Sequence, residues 1–407
     1  LIITRRQVVS EEDTLHSHDG LFRARVHRSP TKCLLSRRFR YSPTHVLLMH
    51  RLLPLALLIG IVLAGCAAPG ERKLSIESPT WERQYDDSTS FFIGIHAVDE
   101  NIVWAAGSAG RVVRSIDGGA SWKTMFVPGA DSVQFRDVHA FGPDVAFTLS
   151  IGNGTDSRIY KTVDGGDNWA LSFQNEDDNA FFDCFSFWDE ERGFAFSDSY
   201  EGEFTLIQTS DGGTSWSRID PAIVPDARDG EGAFAASGTC VMTKPGGLGW
   251  FATGASAQDT RVIRTTDYGR SWAEAITPIA SKTGAEGIST LTVFDEYNLA
   301  VLGGDYTQRD SIFNNVAVSS DGGNSWELAG RAPIGGAVYG SSAVPNTPTK
   351  TIVGVAPTGN AYSTDGGQTW SRISDDNFWT VSFVHPDAGW AAGPGGVSRL
   401  INHRNDQ

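Results

Sequence analysis

From residue 92 onward, short apolar runs alternate with short polar turns. In the first unit of this pattern, four runs occupy residues 92–98, 102–106, 111–115 and 121–127. Apolar and polar side chains alternate within each run, and a period of two is typical of a β-strand with one buried face. The same order of runs starts again at five later positions: Phe135, Phe182, Ala236, Ser289 and Val338. The pattern predicts a series of four-stranded antiparallel units.

One short motif follows the third run of each of the six units. It consists of a hydroxyl residue, any residue, Asp, any residue, Gly, two further residues and Trp, as in residues 115–122. Gly adopts the positive φ of a tight hairpin, and the Asp carboxylate can accept hydrogen bonds from N–H groups of the turn. The indole begins the next strand and can pack between sheets. The copies carry these Asp and Trp residues: Asp117 and Trp122, Asp164 and Trp169, Asp211 and Trp216, Asp267 and Trp272, Asp321 and Trp326, Asp365 and Trp370.

The spacing of the motif indicates the architecture. Successive Asp residues of the motif lie 44 to 56 residues apart, which is the length of one four-stranded blade of a β-propeller. After the sixth motif the chain makes three more runs, at 379–384, 388–393 and 396–400, whereas residues 79–84 look like a fourth strand without its motif. Pairing these segments would remove exposed sheet edges.

We therefore predict an all-β fold over residues 79–403. It is a seven-bladed β-propeller of four-stranded antiparallel blades, closed by the N-terminal strand, which completes the last blade. The alternative is a six-bladed ring with a loose tail. The two differ in whether the two ends of the chain share one sheet.

The six motifs resemble those of the Asp-box, or BNR, repeat family, and the resemblance covers nearly the whole chain after residue 80. An exported ring of such repeats is similar to the Ycf48/HCF136-like group of photosystem II stability and assembly factors and their relatives in non-photosynthetic bacteria. That resemblance implies a non-catalytic scaffold that binds other proteins, with the Asp boxes as structural hairpins on the outside of the ring. The photosynthetic members present a basic patch to their client, whereas this chain is acidic, which argues against a photosystem client.

Composition and charge exclude some functions. The formal net charge is −15, and an acidic surface does not favour nucleic-acid binding. No Cys pair has zinc-ligand spacing, and no Gly-rich dinucleotide motif follows a strand. We expect no cofactor and no metal, a monomeric ring, and a protein or glycan as the unknown partner.

The N-terminal part follows a different pattern. An apolar run over residues 52–63 leads into Leu-Ala-Gly-Cys, which ends at Cys66. The run is shorter than the ~20 residues that span a bilayer, and its basic start and small-residue end are typical of a secretory signal. The ending resembles a bacterial lipoprotein signal, which implies lipidation of Cys66 and a membrane-anchored, exported protein at the periplasmic face or the cell surface. An ordinary signal peptide with an incidental Cys is the alternative. We divide this part into an upstream or disordered segment, a lipoprotein-type signal peptide and a tether: 1–48, 49–65 and 66–78.

Polar residues on the first strands are the candidates for a ligand site, because propeller sites form where the innermost strands meet at a mouth of the channel. His96 occupies the place in the first unit that His139 occupies in the second. Buried charges on neighbouring inner strands can also simply pair with one another, and this alternative stays open. The candidate ligand-binding residues are Arg136, Asp137, His139, Asp183, Glu231, Asp305, Tyr306 and Arg309.

A sialidase-like glycoside hydrolase is the alternative function, because Asp boxes also occur in such enzymes. It would use carboxylates at the channel mouth, and two of them ~5–10 Å apart in an open mouth would favour it. Paired groups in a plugged channel would favour the scaffold. The chain lacks the Arg-Ile-Pro segment and the Arg triad of sialidases, so catalysis is the less favoured outcome. The carboxylates to test are Asp137, Asp183, Glu231 and Asp305.

Two Cys residues of the predicted ring fall on neighbouring first strands. Cys184 and Cys240 can form a disulfide in an exported protein, provided that their Cα atoms lie within ~7 Å. Two buried free thiols are the alternative.

Overall fold

The structure is a computed structural model that describes residues 74–254 and 258–404. The predicted upstream segment, the signal peptide and Cys66 lie outside the described residues. Of the predicted tether, residues 74–78 are described. Ile76 is buried in an apolar cluster with Phe378 and Leu400, so this short piece packs against the ring.

The described residues form short antiparallel strands and two single-turn 3-10 helices, η1 (Gly154–Asp156) and η2 (Pro221–Ile223). The strands of the first half are β1 (Thr80–Ala97), β2 (Val103–Gly107), β3 (Arg111–Ser115), β4 (Lys123–Phe126), β5 (Gln134–Ala140), β6 (Ala146–Ile151), β7 (Arg158–Thr162), β8 (Ala170–Gln174), β9 (Phe182–Phe187), β10 (Gly193–Tyr200), β11 (Glu203–Thr209) and β12 (Ser217–Arg218). The strands of the second half are β13 (Val241–Lys244), β14 (Leu248–Ala252), β15 (Arg261–Thr265), β16 (Ala273–Ile276), β17 (Glu286–Val293), β18 (Leu299–Asp305), β19 (Val316–Ser319), β20 (Glu327–Leu328), β21 (Gly340–Val344), β22 (Thr351–Ala356), β23 (Gly359–Ser363), β24 (Ser371–Ser374), β25 (Thr380–His385) and β26 (Ala388–Ile401).

Among the described residues these strands form six sheets around one ring. Five sheets have four strands in sequence order, which are β5 to β8, β9 to β12, β13 to β16, β17 to β20 and β21 to β24. The sixth sheet has six strands in the order β25-β26-β1-β2-β3-β4. The innermost strands contact one another in a closed cycle, from β1 through β5, β9, β13, β17, β21 and β25 back to β1, and the six-stranded sheet contributes two of them, β25 and β1. The fold is therefore an all-β propeller of antiparallel blades.

The predicted number of seven blades is wrong, because the structure has six. Strand β1 is continuous from Thr80 to Ala97 and pairs with β26 along its first part and with β2 along its second part. The strands that were expected to form a separate last blade therefore share a sheet with those of the first unit.

The chain end is not a loose tail either. The expected pairing of the two chain ends is observed, with Trp81 opposite Leu400. The Trp81 indole donates to Asn360 Oδ1 at 2.7 Å and packs edge-on against Phe378, with ring centroids 5.1 Å apart. Since Asn360 lies on β23, this contact joins the N-terminal strand to the neighbouring sheet of β21 to β24.

Each Asp box is a hairpin whose carboxylate is used by its own turn. Asp117 Oδ1 accepts from Ser121 N and from Ser115 Oγ, both at 2.8 Å, and the same pattern recurs in the other five copies. Positive φ occurs where the motif requires Gly, and Tyr268 (φ 62°) holds that conformation in the fourth copy. Hydrogen bonds from the residue four positions later lower the pKa of three of these carboxyls to about 2: Asp164, Asp211 and Asp321.

A segment of small residues fills the inside of the ring. We call residues 232–240 the plug. The sequence pattern predicted a strand from Ala236, but β13 begins only at Val241. Residues 232–238 and Cys240 are buried, and the plug contacts first strands on different sides of the ring, since Ala235 O accepts from Arg136 on β5 whereas other plug residues bond near β17 and β21. Ser237 Oγ donates to Tyr339 O at 2.7 Å, and Leu291 N donates to Thr239 O at 2.9 Å.

Candidate functional site

A large cavity of about 990 Å³ opens at one mouth of the ring, where the first strands end. The plug forms its floor through Gly238 and Thr239. Of the predicted ligand-binding residues, Asp137 and His139 line this mouth, together with His96. The walls are the second halves of the first strands and the turns after them: residues 95–97, 137–139, 185–187, 241–244, 292–295, 341–351 and 381–383. We call this cavity the mouth.

The other candidates lie elsewhere. Tyr306 and Arg309 line a separate crevice of about 10 Å³ at the opposite end of the ring, beside Tyr339. Arg136, Asp183, Glu231 and Asp305 do not line the mouth. The structure therefore divides the predicted site into two ends, with the plug between them.

Polar side chains on the first strands accept hydrogen bonds from backbone N–H groups at the inner edge of the neighbouring first strand. A first strand has no partner strand on its channel side, so its inward N–H groups need other acceptors. Ala140 N donates to His96 Nδ1 at 2.8 Å, and Ala97 N donates to Ser382 Oγ at 3.0 Å. In the same register, the N–H of Phe383 donates to a serine hydroxyl at 3.1 Å. The polar pattern that marked these strands as a site thus has a structural cause.

The two histidines of the mouth are neutral. Their rings lie 4.6 Å apart. Burial lowers the pKa of His96 from 6.5 to about 4, and burial together with the neighbouring His96 lowers the pKa of His139 well below 6.5. Since His96 Nδ1 accepts a hydrogen bond, its proton is on Nε2. His96 therefore acts as a hydrogen-bond donor on that side of its ring.

Asp137 is also engaged. Its carboxylate accepts from Val138 N at 2.8 Å and from Phe185 N at 2.9 Å. Burial raises the pKa of Asp137 well above its usual range, and the two backbone hydrogen bonds oppose this. A buried carboxyl that bridges two strands in this way holds the wall of the mouth together.

The remaining carboxylates are paired or used by turns. Glu231 forms a buried ion pair with Arg261, whose Nε donates to Glu231 Oε1 at 2.8 Å. Asp305 Oδ1 accepts from Thr307 N at 2.9 Å. Burial would raise the pKa of Asp305, but hydrogen bonds from Thr307 and from the next residue lower it overall. Neither group is available to a substrate.

Asp183 differs from all the others because it is fully buried and neither of its oxygens has a hydrogen-bond partner in the described part of the chain. Burial and the neighbouring Asp198 raise its pKa well above the usual range, while Arg136 acts in the opposite direction. Arg136 is buried as well, donates through Nη1 to Ala235 O on the plug and lies over the Trp379 ring at 5.4 Å. Burial lowers its pKa to about 10.

No two of the four carboxylates proposed for a hydrolase meet in the open mouth. Asp137 alone of that set lines it, and its oxygens are occupied by backbone N–H groups. General acid–base cleavage of a glycoside needs two carboxyl groups facing the scissile bond. The described geometry does not provide that pair.

Sequence reasoning missed the hydroxyl wall of the mouth. Thr292 Oγ1 lies 2.6 Å from Ser341 Oγ, and Ser186 Oγ lies 2.9 Å from Thr243 Oγ1, and all four residues line the mouth. The available signal was the recurrence of Ser or Thr at one register of the first strands. The choice left open for the two cysteines is resolved as a disulfide between Cys184 and Cys240, with Cα atoms 6.0 Å apart.

Acidic side chains surround the mouth on the turns between first and second strands. Two basic residues near these turns are Lys244, which is half-buried, and Lys350, which is exposed. Arg192 is paired with Asp189 at 2.6 Å. We call the exposed carboxylates of these turns the acidic rim: Asp99, Glu100, Asp144, Glu190, Glu191, Asp295 and Glu296.

Comparison with known proteins agrees with the repeat and the ring. The model of the BNR/Asp-box repeat matches residues 361–372. The structure of YCF48 bound to D1 peptide has a TM-score of 0.57 at 16% identity and covers 83% of this chain and 100% of its own. The chain is a propeller with BNR/Asp-box repeats, and its fold resembles that of Ycf48. YCF48 from Cyanidioschyzon merolae gives a TM-score of 0.55 at 16% identity, covering 80% of this Asp-box propeller and 99% of its own chain.

No curated protein matches the Asp-box propeller in sequence. Among residues 74–254 and 258–404, no cluster of three or more His, Cys, Asp or Glu side chains could hold a metal ion. In the same part of the chain, no helix has the length and apolar character needed to cross a membrane.

Proposed function

We propose that this Asp-box propeller is a non-catalytic, exported scaffold that binds a segment of a partner protein in its mouth. The observation that carries the proposal is the mouth itself, a cavity of about 990 Å³. In its wall the carboxylate of Asp137 accepts two backbone hydrogen bonds, and the two imidazoles are neutral. Such a cavity can hold a chain segment through hydrogen bonds and apolar contacts. It lacks the charged pairs that acid–base catalysis requires.

The similarity to Ycf48 supports binding of a peptide segment. One of the similar structures is that of YCF48 bound to D1 peptide, and this binding is a property of the other protein. At 16% identity the similarity shows the fold, so a different client is expected here. The photosynthetic members of that group present a basic patch to their client, whereas this chain has a formal net charge of −15, and this difference also favours a different client.

The acidic rim indicates the chemistry of the partner. Its carboxylates are exposed at the entrance, where opposite charge speeds encounter and rejects acidic competitors. Since few basic groups lie nearby, we propose that the bound segment is rich in Lys or Arg. The apolar parts of the mouth would then contact the stems of those side chains.

Two further observations support export. The disulfide between Cys184 and Cys240 is typical of an oxidising compartment. The sequence ending at Cys66 resembles a lipoprotein signal. We propose that the ring is held at a membrane surface by a lipid on Cys66.

Charge reversal of the rim tests the partner chemistry. The variant Glu100→Lys/Glu190→Lys/Glu296→Lys should weaken binding of a fluorescent Lys-rich peptide by roughly tenfold or more, because the attraction at the entrance becomes repulsion. Fluorescence anisotropy at low and physiological salt measures this. The wild type should bind a Glu-rich peptide much more weakly than the Lys-rich one.

A matched control places the same charges at the opposite end of the ring. Glu176→Lys/Glu201→Lys/Asp229→Lys changes the net charge equally on turns remote from the mouth, where all three residues are exposed. This variant should bind the Lys-rich peptide within about twofold of the wild type. Equal loss in both variants, or no loss in the rim variant, would refute a specific site at the mouth.

A further inference from the structure

Two buried carboxyl groups lie together behind the plug. Asp183 on β9 has no exposed surface, and no N–H or O–H group among the described residues donates to either of its oxygens. Its acidic neighbour is Asp198 on β10, which is 7% exposed. The two residues lie on paired strands, and neighbouring carboxylates, which are both acceptors when ionised, repel one another strongly in a low-dielectric interior.

A single proton resolves this conflict. When one carboxyl is protonated, its O–H can donate to the other, and the repulsion becomes a charge-assisted hydrogen bond. Burial raises the pKa of Asp183 well above 3.8, Asp198 raises it further, and Arg136 opposes both. The folded protein therefore holds this proton at pH values at which an exposed Asp has lost it.

Three charged groups pack near the pair, and Arg136 opposes the rise in the pKa of Asp183 without reversing it. From β5, Arg136 directs Nη1 to Ala235 O and Nε to Gln134 Oε1 at 3.0 Å. Asp137, also on β5, is held by two backbone N–H groups. Beside the plug, the carboxylate of Glu231 is neutralised by a buried Arg.

The pair is attached directly to the plug. Ala233 N donates to Asp198 Oδ1 at 2.9 Å, and a Cβ at Gly232 would lie only 2.0 Å from that oxygen. Only Gly therefore allows this close approach. At its other end the plug forms the floor of the mouth through Gly238, where a Cβ would lie 2.4 Å from Asp137 Cγ. One short segment thus connects the acid pair to the mouth.

We propose that Asp183 and Asp198 share one proton that seats the plug, and that loss of this proton loosens the plug and with it the floor of the mouth. The link to ligand binding rests on the proposed function, whereas the proton site does not. The sign follows from the raised pKa of Asp183. The stabilising contribution is fully present below the unfolded pKa near 4 and is lost as pH rises toward the folded value.

Hydrogen exchange of the plug tests the proposal directly. As the pH is raised beyond the usual titration range of an Asp carboxyl, the exchange of amides in residues 232–240 should accelerate by roughly tenfold beyond the intrinsic effect of pH. In Asp183→Asn, whose amide can donate to Asp198 at every pH, that excess should disappear. Asp305→Asn is the control, because Asp305 caps a turn through Thr307 and its loss should leave the pH dependence of the plug unchanged.

The wild type alone supplies a second measurement if Asp183→Asn does not fold. Infrared difference spectra at neutral pH should show the carbonyl stretch of a buried protonated carboxylic acid, which disappears as the pH is raised. Absence of that band, or the same excess exchange in wild type and Asp183→Asn, would overturn the proton site. Normal plug behaviour with no binding of a Lys-rich peptide would instead contradict only the proposed function.

Discussion

At the residue scale, the polar side chains of the first strands accept hydrogen bonds from backbone N–H groups that have no partner strand on the channel side. His96 accepts from Ala140 N, and Ser382 performs the same task for Ala97 N. The sequence showed that these positions were polar but not which N–H each would meet, because the partner lies on another blade. Glu231 and Arg261 show the same limit, since 30 residues separate them in the chain.

His96 provides a prediction about acid stability. Its pKa falls from 6.5 to about 4 on folding, so its contribution is present above pH 6.5 and is lost as the pH falls toward 4. His96→Ser should keep an acceptor for Ala140 N, as Ser382 does elsewhere, and should reduce the loss of stability in that range.

The matched variant removes the acceptor. His96→Ala leaves the N–H of Ala140 unsatisfied and should lower the free energy of unfolding by about 1–3 kcal/mol at neutral pH. Urea unfolding at pH 7 and pH 5 distinguishes the two variants. Identical acid sensitivity in the wild type and His96→Ser would show that His96 does not carry the effect.

At the element scale, periodicity located most strands, and the third strand of the first unit, Arg111–Ser115, was predicted with its observed bounds. Two features escaped it. The plug is an apolar run of mostly small residues, and its composition alone did not distinguish it from a buried strand. Strand β1 runs through the expected blade boundary without a break, and the blade number was overestimated for that reason.

Two Trp residues test the closure by β1. The Trp81 indole donates to Asn360, which is fully buried, whereas Trp326 Nε1 has no partner among the described residues. Trp81→Phe should therefore lower the free energy of unfolding by about 0.5–1.5 kcal/mol, because the Oδ1 of a buried amide loses its shorter hydrogen bond and keeps only the one from Ser374 Oγ at 3.3 Å.

Trp326→Phe is the control. Since no hydrogen bond is lost, the free energy of unfolding should change only by the effect of the smaller ring, to within about 0.5 kcal/mol. Both variants should unfold in one transition, as expected when the two chain ends share a sheet. A local, separate transition in Trp81→Phe would show that the N-terminal strand is not integral to the ring.

At the scale of the whole molecule, a disulfide fixes the plug to the wall of the ring. Cys240 ends the plug and Cys184 lies on β9, beside Asp183 in the chain. The sequence allowed either this bond or two free thiols, since only the fold sets the distance between the Cα atoms.

Removing the disulfide tests its role. The loop closed by the bond spans 56 residues, and the loss of this restraint should destabilise the ring by ~4 kcal/mol by the chain-entropy estimate. Cys184→Ser/Cys240→Ser, compared with the wild type in thermal unfolding, measures this. The wild type made in an oxidising compartment should show no reactive thiol from these two residues after denaturation.

The proposed function depends on the mouth being the site that binds the partner segment. Met242 lines it from β13, and Met242→Trp would fill part of the cavity without removing a hydrogen bond from a first strand. Ile312→Trp places the same indole at a position that is 50% exposed and outside the mouth. Titration calorimetry with a Lys-rich peptide should give binding at least about tenfold weaker for Met242→Trp and wild-type binding for Ile312→Trp. Wild-type affinity in Met242→Trp would contradict the account, because the peptide would then bind elsewhere on the ring.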